Sequence, residues 1–169
     1  MNNGLLNEHE SFLNVALGAA ALAEFTAAFQ NVAARPESDA TLWHLATVLP
    51  LVFHETSRRA IAKRLPRSGL RSILTRDPDN DIAQNEPIFN LNERMRAAYG
   101  RTLRSLNCGI ACGLLDIRGG SITSRSTVPR DACPGVASDI VKCAAKLGAW
   151  AAETSAFEYL TILGVEVRR

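Results

Sequence analysis

The chain has 169 residues, of which 47% are hydrophobic and 21% are charged, and its formal net charge is +2. This composition predicts one globular domain that buries its own core, and it excludes a disordered chain. The net charge is too small to indicate a nucleic-acid partner by itself.

The N-terminal sequence carries no secretion signal. Residues 1–10 are polar and acidic, without the basic start and apolar stretch of a signal peptide. The longest apolar runs, at residues 15–23 and 45–53, are shorter than the roughly 20 residues that a membrane helix needs. We therefore expect a cytoplasmic protein without a membrane partner.

The four cysteines are Cys108, Cys112, Cys133 and Cys143. Their spacings, C-x3-C and C-x9-C, match no common zinc pattern. In a reducing cytoplasm, buried structural thiols are the expected use of such residues. We therefore expect no metal site and no other cofactor.

The first helix is expected to begin at Val15, with Asn14 as its N-cap, and to end before Pro36. Residues 1–10 are then a loose lead-in, and residues 11–169 are a single helical domain. The small side chains at residues 18–21 make one face of the helix thin, so that another helix can approach closely. A homodimer through this face is one arrangement that the pattern allows.

A second helix is predicted at residues 42–53, where almost every residue is apolar, as in a helix buried on most sides. Pro50 is expected to kink this helix or to divide it into two pieces. A basic amphipathic helix follows at residues 56–64. A shorter helix capped by Ser68 then precedes a polar loop at residues 77–87.

Residues 88–112 are predicted to form one long helix, in which Gly100 and Gly109 are expected to allow close contacts. A β-hairpin follows directly, because residues 114–117 and 121–124 flank a Gly-Gly turn.

Two more helices are predicted near the C-terminus, at residues 136–153 and 155–163. The inward residues of the first of these are expected to be Ile140, Val141, Leu147 and Trp150. The fold class is therefore mainly α, a compact helical domain with one β-hairpin after a long helix. This order of elements resembles a winged helix.

The segment that begins at His54 resembles a zinc-protease motif in its first two residues only. Such a protease needs H-E-x-x-H, because two imidazoles one helical turn apart bind one ion. Arg58 occupies the fourth position after His54, and its guanidinium stays protonated and is no ligand. His54 is therefore interpreted as a helix-junction residue that forms local hydrogen bonds.

No other pattern in the chain indicates catalysis. The sequence has no G-x-S-x-G nucleophile motif and no G-x-x-x-x-G-K-[ST] phosphate loop. An enzyme would need His44 or His54 to meet Cys108 or Cys112 in a cleft. We therefore expect no catalytic residue and no enzyme activity.

Basic residues are concentrated in two regions. Residues 57–76 hold seven bases and no acid, which indicates either a solvated helical face or a patch for phosphates or an acidic protein surface. The long helix and the hairpin add further arginines, as in a helix and wing that contact DNA. The candidate contacts to DNA or a protein partner are Arg58, Arg59, Lys63, Arg64, Arg67, Arg71, Arg94, Arg101, Arg104, Arg118 and Arg125.

The sequence of residues 49–58, LPLVFHETSR, resembles the signature of the middle components of three-component ABC systems. Residues 12–14, 112–115, 146–150 and 163–165 resemble further landmarks of that family, in the same order. The resemblance spans about residues 11–167. It implies structural roles for Pro50, His54, Arg58, Gly113, Gly148 and Trp150.

The resemblance implies a small non-enzymatic subunit that bridges an ABC ATPase and a third, variable component. Such systems are associated with prokaryotic defence against phage and other foreign DNA. The implied partners are the ATPase and the third component, and DNA and a second copy are further candidates. The alternative interpretation is a winged-helix-like DNA-binding or regulatory module.

Overall fold

The computed structural model describes residues 3–33, 39–75, 85–129 and 132–166, with side chains from Val15 onward in the first range. The helices in this part of the chain are α1 (Asn3–Val32), α2 (Leu42–Val52), α3 (Glu55–Lys63), α4 (Leu91–Ala111), α5 (Val136–Ala152) and α6 (Ala156–Ile162). The strands are β1 (Ala40–Thr41), β2 (Leu115–Arg118) and β3 (Ser121–Ser124). Short 3-10 helices span Pro66–Ser68, Leu70–Leu74 and Glu86–Ile88. The predicted mainly α fold with a hairpin after a long helix is confirmed.

Helix α1 lies at the centre of the fold and packs chiefly against α5 and α4. Its small side chains allow a very close approach. A Cβ atom on Gly148 of α5 would overlap the backbone carbonyl of Phe25, and one on Gly18 would overlap the side chain of Ser105 on α4. The thin face of α1 is therefore used inside the chain, and it does not remain available to a second copy as the sequence had indicated.

The expected start of α1 at Val15 is wrong, because the helix begins at Asn3. The segment before Val15 contains no proline and is rich in leucine and glutamate, which favour helix, so no stop precedes Asn14. The side chains of residues 1–14 lie outside the described residues. The domain limits therefore stay a prediction.

One helical stretch in the described part of the chain, Val15–Val32 of α1, is long and apolar enough to cross a membrane. Half of this stretch is buried inside the fold. A buried core helix of a soluble protein passes the same test, so the finding is weak support for a membrane span.

Helix α2 continues through Pro50 and ends at Val52. Proline has a helical φ and costs this helix one backbone donor, and the N–H of Phe53 still bonds the carbonyl of Leu49 at 3.0 Å. The division between α2 and α3 follows at Phe53 and His54. Pro50 therefore precedes the break and does not mark it.

The shorter helix predicted after Ser68 is a 3-10 helix at Leu70–Leu74, and Gly69 separates it from another 3-10 helix at Pro66–Ser68. Gly69 has a φ of +72°, which no continuous right-handed helix can include. Ser68 therefore ends the first piece and does not cap the second.

Helix α4 begins at Leu91, three residues later than predicted, because Asn90 has a left-handed backbone with a φ of +54°. The helix ends where Gly113 adopts a φ of +71°, which lets the N–H of Leu114 reach the carbonyl of Gly109 at 2.8 Å. A Cβ on Gly109 would crowd Leu115, as expected for a close contact. Gly100 faces open space, so the same expectation is wrong there.

The hairpin of β2 and β3 is joined by a third strand that the sequence did not reveal. Strand β1 pairs with β3 in antiparallel register, Ala40 opposite Ile122, and the strand order is β1-β3-β2. Two residues are too few to show the alternation of a strand. The sheet is anchored on α1, where Gln30 accepts a hydrogen bond from the N–H of Ser124 at 2.9 Å.

Candidate partner-binding surfaces

Two arginines hold the end of α2 within the fold. Arg58 donates a hydrogen bond to the carbonyl of Val52 at 3.0 Å, and Arg94 donates to Pro50 at 3.0 Å and to Pro87 at 2.9 Å. Cations are favoured at the C-terminus of a helix, where carbonyls lack partners. Both arginines are therefore engaged in joining α2, α3 and α4, and they are poorly placed to contact DNA.

His54 is the N-cap of α3. Its Nδ1 accepts the backbone N–H of Ser57 at 3.4 Å and lies 3.0 Å from Ser57 Oγ. Burial lowers the pKa of His54, and the positive charges of Arg94 and Arg58 lower it further against the opposing effect of nearby carboxylates. Ser57 is buried and its Oγ donates to the carbonyl of Pro87, so this pair stabilises the helix junction as the sequence indicated.

The segment Lys146–Trp150 joins α5 to the end of α3. Lys146 Nζ donates to the carbonyls of Ile61 at 3.0 Å, Ala62 at 3.0 Å and Arg64 at 2.7 Å. Trp150 is fully buried and donates through Nε1 to the carbonyl of Pro66. Sequence reasoning missed Lys146, although its position one helical turn before the inward Trp150 was a signal that it faces the same neighbour.

The two hairpin arginines are both bound to one carboxylate. Arg125 and Arg118 donate to Asp116 Oδ2 at 2.9 and 2.8 Å. The hydrogen bond from Arg125, followed by that from Arg118, lowers the pKa of Asp116. The hairpin therefore presents a charge cluster with one acid and two bases in place of two free cations.

Three further candidate arginines have partners within the chain. Arg64 donates to the carbonyl of Thr75 at 2.7 Å, Arg71 pairs with Glu158 at 3.2 Å, and Arg101 lies over the ring of Phe53 at 5.6 Å from its centroid. Arg71 and Arg101 are exposed, whereas Arg64 is half-buried.

The remaining four candidates are exposed. Arg59 and Lys63 lie on α3, Arg67 lies in the turn after it, and Arg104 lies on α4. The eleven candidate bases therefore include some that are engaged within the fold, such as Arg58 and Arg94, and others that are exposed.

An open groove of about 700 Å³ lies between the start of α2, the first half of α4 and the C-terminal tail. Its aromatic side chains are exposed, Trp43 at 54% and Tyr99 at 59%. The groove is lined by Leu42, Trp43, Ala46, Asn92, Met95, Arg96, Tyr99, Val165 and Glu166. Sequence reasoning missed it, because Trp43 falls within a helix that reads as buried on most sides.

The tail wall of the groove is fixed by one amide side chain. Asn92 Nδ2 donates to the carbonyl of Gly164 at 3.0 Å, and Asn92 Oδ1 accepts the N–H of Glu166 at 3.2 Å. This pair of hydrogen bonds holds the tail beside α4, so the groove is a formed feature of the fold.

The contacts of the histidines and of the cysteines that an enzyme would need are with other groups in the described part of the chain. His44 is buried between the rings of Phe29 and Tyr159, each with its centroid 5.2 Å away. Cys108 and Cys112 are neighbours on α4. No group of three or more potential metal ligands occurs among the described residues.

A comparison with protein families identifies residues 2–167 as matching the ABC-three component (ABC-3C) system Middle Component 3 family. The chain belongs to this family. The resemblance seen in the sequence is therefore confirmed, and the protein is a middle component of an ABC-3C system. No curated protein and no solved structure gives a significant match.

Several residues of the family motif make contacts inside the fold. Arg58, His54, Gly148 and Trp150 all make contacts that set the positions of helices in this middle component. These motif residues therefore contribute to the scaffold of the fold.

Proposed function

We propose that this middle component is a non-catalytic adaptor that bridges the ABC ATPase and the third component of its system. It acts in the cytoplasm of a prokaryotic cell, in defence against phage and other foreign DNA. The observation that carries the proposal is membership of a middle-component family over almost the whole chain.

The contacts of the polar motif residues support a structural role for them and not a catalytic one. The Ser57 hydroxyl is buried in a helix junction beside the half-buried imidazole of His54, and both groups are hydrogen-bonded within the chain itself. A catalytic pair needs its reacting atoms open to substrate. This pair instead holds α3 against the segment that precedes α4.

The distribution of exposed bases supports two separate contact surfaces. Arg59 and Arg67 are exposed at and after α3, whereas Arg104 is exposed on α4. An adaptor has to bind two proteins at once, and charged surfaces steer such encounters and select the partner. Each surface therefore contacts an acidic region of a different component.

The test is capture of the ATPase by the tagged middle component, without nucleotide, with ATP and with a non-hydrolysable analogue. We expect stoichiometric capture in at least one state, and loss of one partner each from R59E/R67E and R104E. Lys142→Ala, which changes an exposed residue of α5, is the control. Failure to capture the ATPase in every nucleotide state would contradict the proposal.

A DNA-binding module is the second candidate function. It is favoured by the hairpin that directly follows α4, and by the exposed Arg96, Arg101 and Arg104 on that helix. Binding through phosphates must weaken steeply as salt is added, by about 0.9 decades of affinity per phosphate contact for each decade of salt. Binding that ignores salt, or no binding at low salt, would exclude this function.

A further inference from the structure

The groove between α2 and α4 exposes two large aromatic side chains together with an apolar neighbour. Trp43 and Tyr99 each keep more than half of their surface in water, and Leu42 beside them is 44% exposed. Trp, Tyr, Met and Arg are enriched at protein interfaces, and all four occur in this groove. Its composition is that of a protein-binding surface.

The charges of the groove indicate what occupies it. Arg96 on α4 and Glu166 on the tail both line it. Within the described residues, neither side chain has an ion pair or hydrogen bond. An acidic partner would place negative charge opposite Glu166, and a basic partner would place positive charge opposite Arg96. A surface with one unpaired charge of each sign is complementary to a rotated copy of itself.

We propose that the groove is a homodimer interface. Two copies pack about a two-fold axis through the groove, with Trp43 and Tyr99 of each copy inserted into the groove of the other. Arg96 of each copy then faces Glu166 of the other, which gives two equivalent ion pairs. Burial of the aromatic rings supplies the affinity, and the ion pairs set the orientation.

This interface differs from the one that the alanine-rich helix had indicated, since residues 19–21 are buried in the fold and Gly18 lies against Ser105 of α4. It goes beyond the adaptor function and does not depend on it. A dimeric middle component would present two copies of each partner surface.

The first test is the molar mass of the full chain, measured by light scattering during gel filtration and by sedimentation. We expect twice the monomer mass of 18.3 kDa. Trp43→Ala is expected to weaken the dimer about tenfold or more, as for a central aromatic contact. Phe157→Ala, which removes a ring that is 75% exposed and outside the groove, is the control and stays dimeric.

The second test is charge exchange. R96E alone and E166R alone each place like charges opposite each other, so each variant is expected to dissociate. An equimolar mixture is expected to form a heterodimer, because both contacts of the mixed pair then join opposite charges. Circular dichroism spectra equal to that of the unchanged chain establish that the variants are folded.

Three results would overturn the proposal. One is a monomer at every concentration up to about 100 μM, beyond which association is too weak to be specific. Another is a dimer that neither Trp43→Ala nor the single charge reversals weaken, or that the mixture fails to restore. The third is a monomer whose Trp43→Ala variant loses the ATPase or the third component, which would assign the groove to that partner.

Discussion

At the scale of single residues, the fold depends on positions where a neighbour leaves no room for a larger side chain. Gly148 faces the backbone of Phe25, and Gly18 faces the side chain of Ser105. Backbone atoms cannot turn aside as a flexible side chain can, so the contact at Gly148 is the more demanding of the two.

Gly148→Ala is expected to lower the free energy of unfolding by about 3 kcal/mol or more, because α1 and α5 must move apart around the added methyl group. The matched control is Gly100→Ala, where no atom lies within 4 Å. That change is expected to stabilise the protein by about 0.5–1 kcal/mol, because alanine favours helix over glycine. Urea denaturation measures both, and equal effects of the two changes would contradict the packing described.

His44 makes stability depend on pH. Burial lowers its pKa to about 4, against an ordinary value of about 6.5. Its Nδ1 accepts the N–H of Thr41 at 3.1 Å, which requires an unprotonated nitrogen. Between about pH 6.5 and pH 4 the unfolded chain binds a proton at His44 that the folded chain does not bind. The free energy of unfolding therefore falls as the pH is lowered through this window.

The expected loss from His44 is about 3 kcal/mol between pH 6.5 and pH 4. His44→Gln removes this titration and is expected to flatten the dependence of the unfolding free energy on pH over that window. His54→Gln removes a group whose pKa is also lowered, and it tests whether the effect belongs to His44. The account of His44 fails if His44→Gln and the unchanged protein lose stability in parallel.

At the scale of elements, the end of α3 is completed by another helix. Lys146 of α5 donates to the carbonyls of Ile61, Ala62 and Arg64 at the C-terminus of α3, where the backbone N–H of Arg64 also bonds the carbonyl of Ile61. Burial lowers the pKa of Lys146, yet its charge is favourable at a helix C-terminus. This contact joins the end of α3 to α5.

Lys146→Met keeps the length of the side chain and removes its donors. We expect it to cost about 1–3 kcal/mol of unfolding free energy, because buried carbonyls lose a charged partner. We also expect faster amide hydrogen exchange in α3. Lys142→Met, one turn earlier on the exposed side of α5, is the control. Unchanged exchange in α3 would show that other contacts hold the helix.

The helices and the hairpin followed from sequence where the local pattern was strong. The apolar residues of α2 and α5, and the Gly-Gly turn, predicted elements that the structure contains. The start of α1, the break at Gly69 and strand β1 did not follow. The start of α1 has no stop signal before it, and the break at Gly69 depends on a left-handed glycine. Strand β1 depends on pairing with a strand more than eighty residues away in the chain.

At the scale of the whole molecule, the sequence motif predicted the family, but it could not predict the groove between α2 and α4. Arg58 and Trp150 are recognisable in sequence because their internal contacts require those residue types. The groove arises when Asn92 binds the tail and Trp43 faces α4. No local sequence pattern shows that these three distant segments lie together. The groove could therefore be found only from the structure.

We propose that this middle component bridges the ATPase and the third component, and we expect these two proteins not to associate without it. The most direct measurement is gel filtration with light scattering of the purified ATPase and third component, with and without the middle component. We predict that the two co-elute as one complex only when the middle component is present. Co-elution of the ATPase and third component without it, or no ternary complex in any nucleotide state, would contradict the claim.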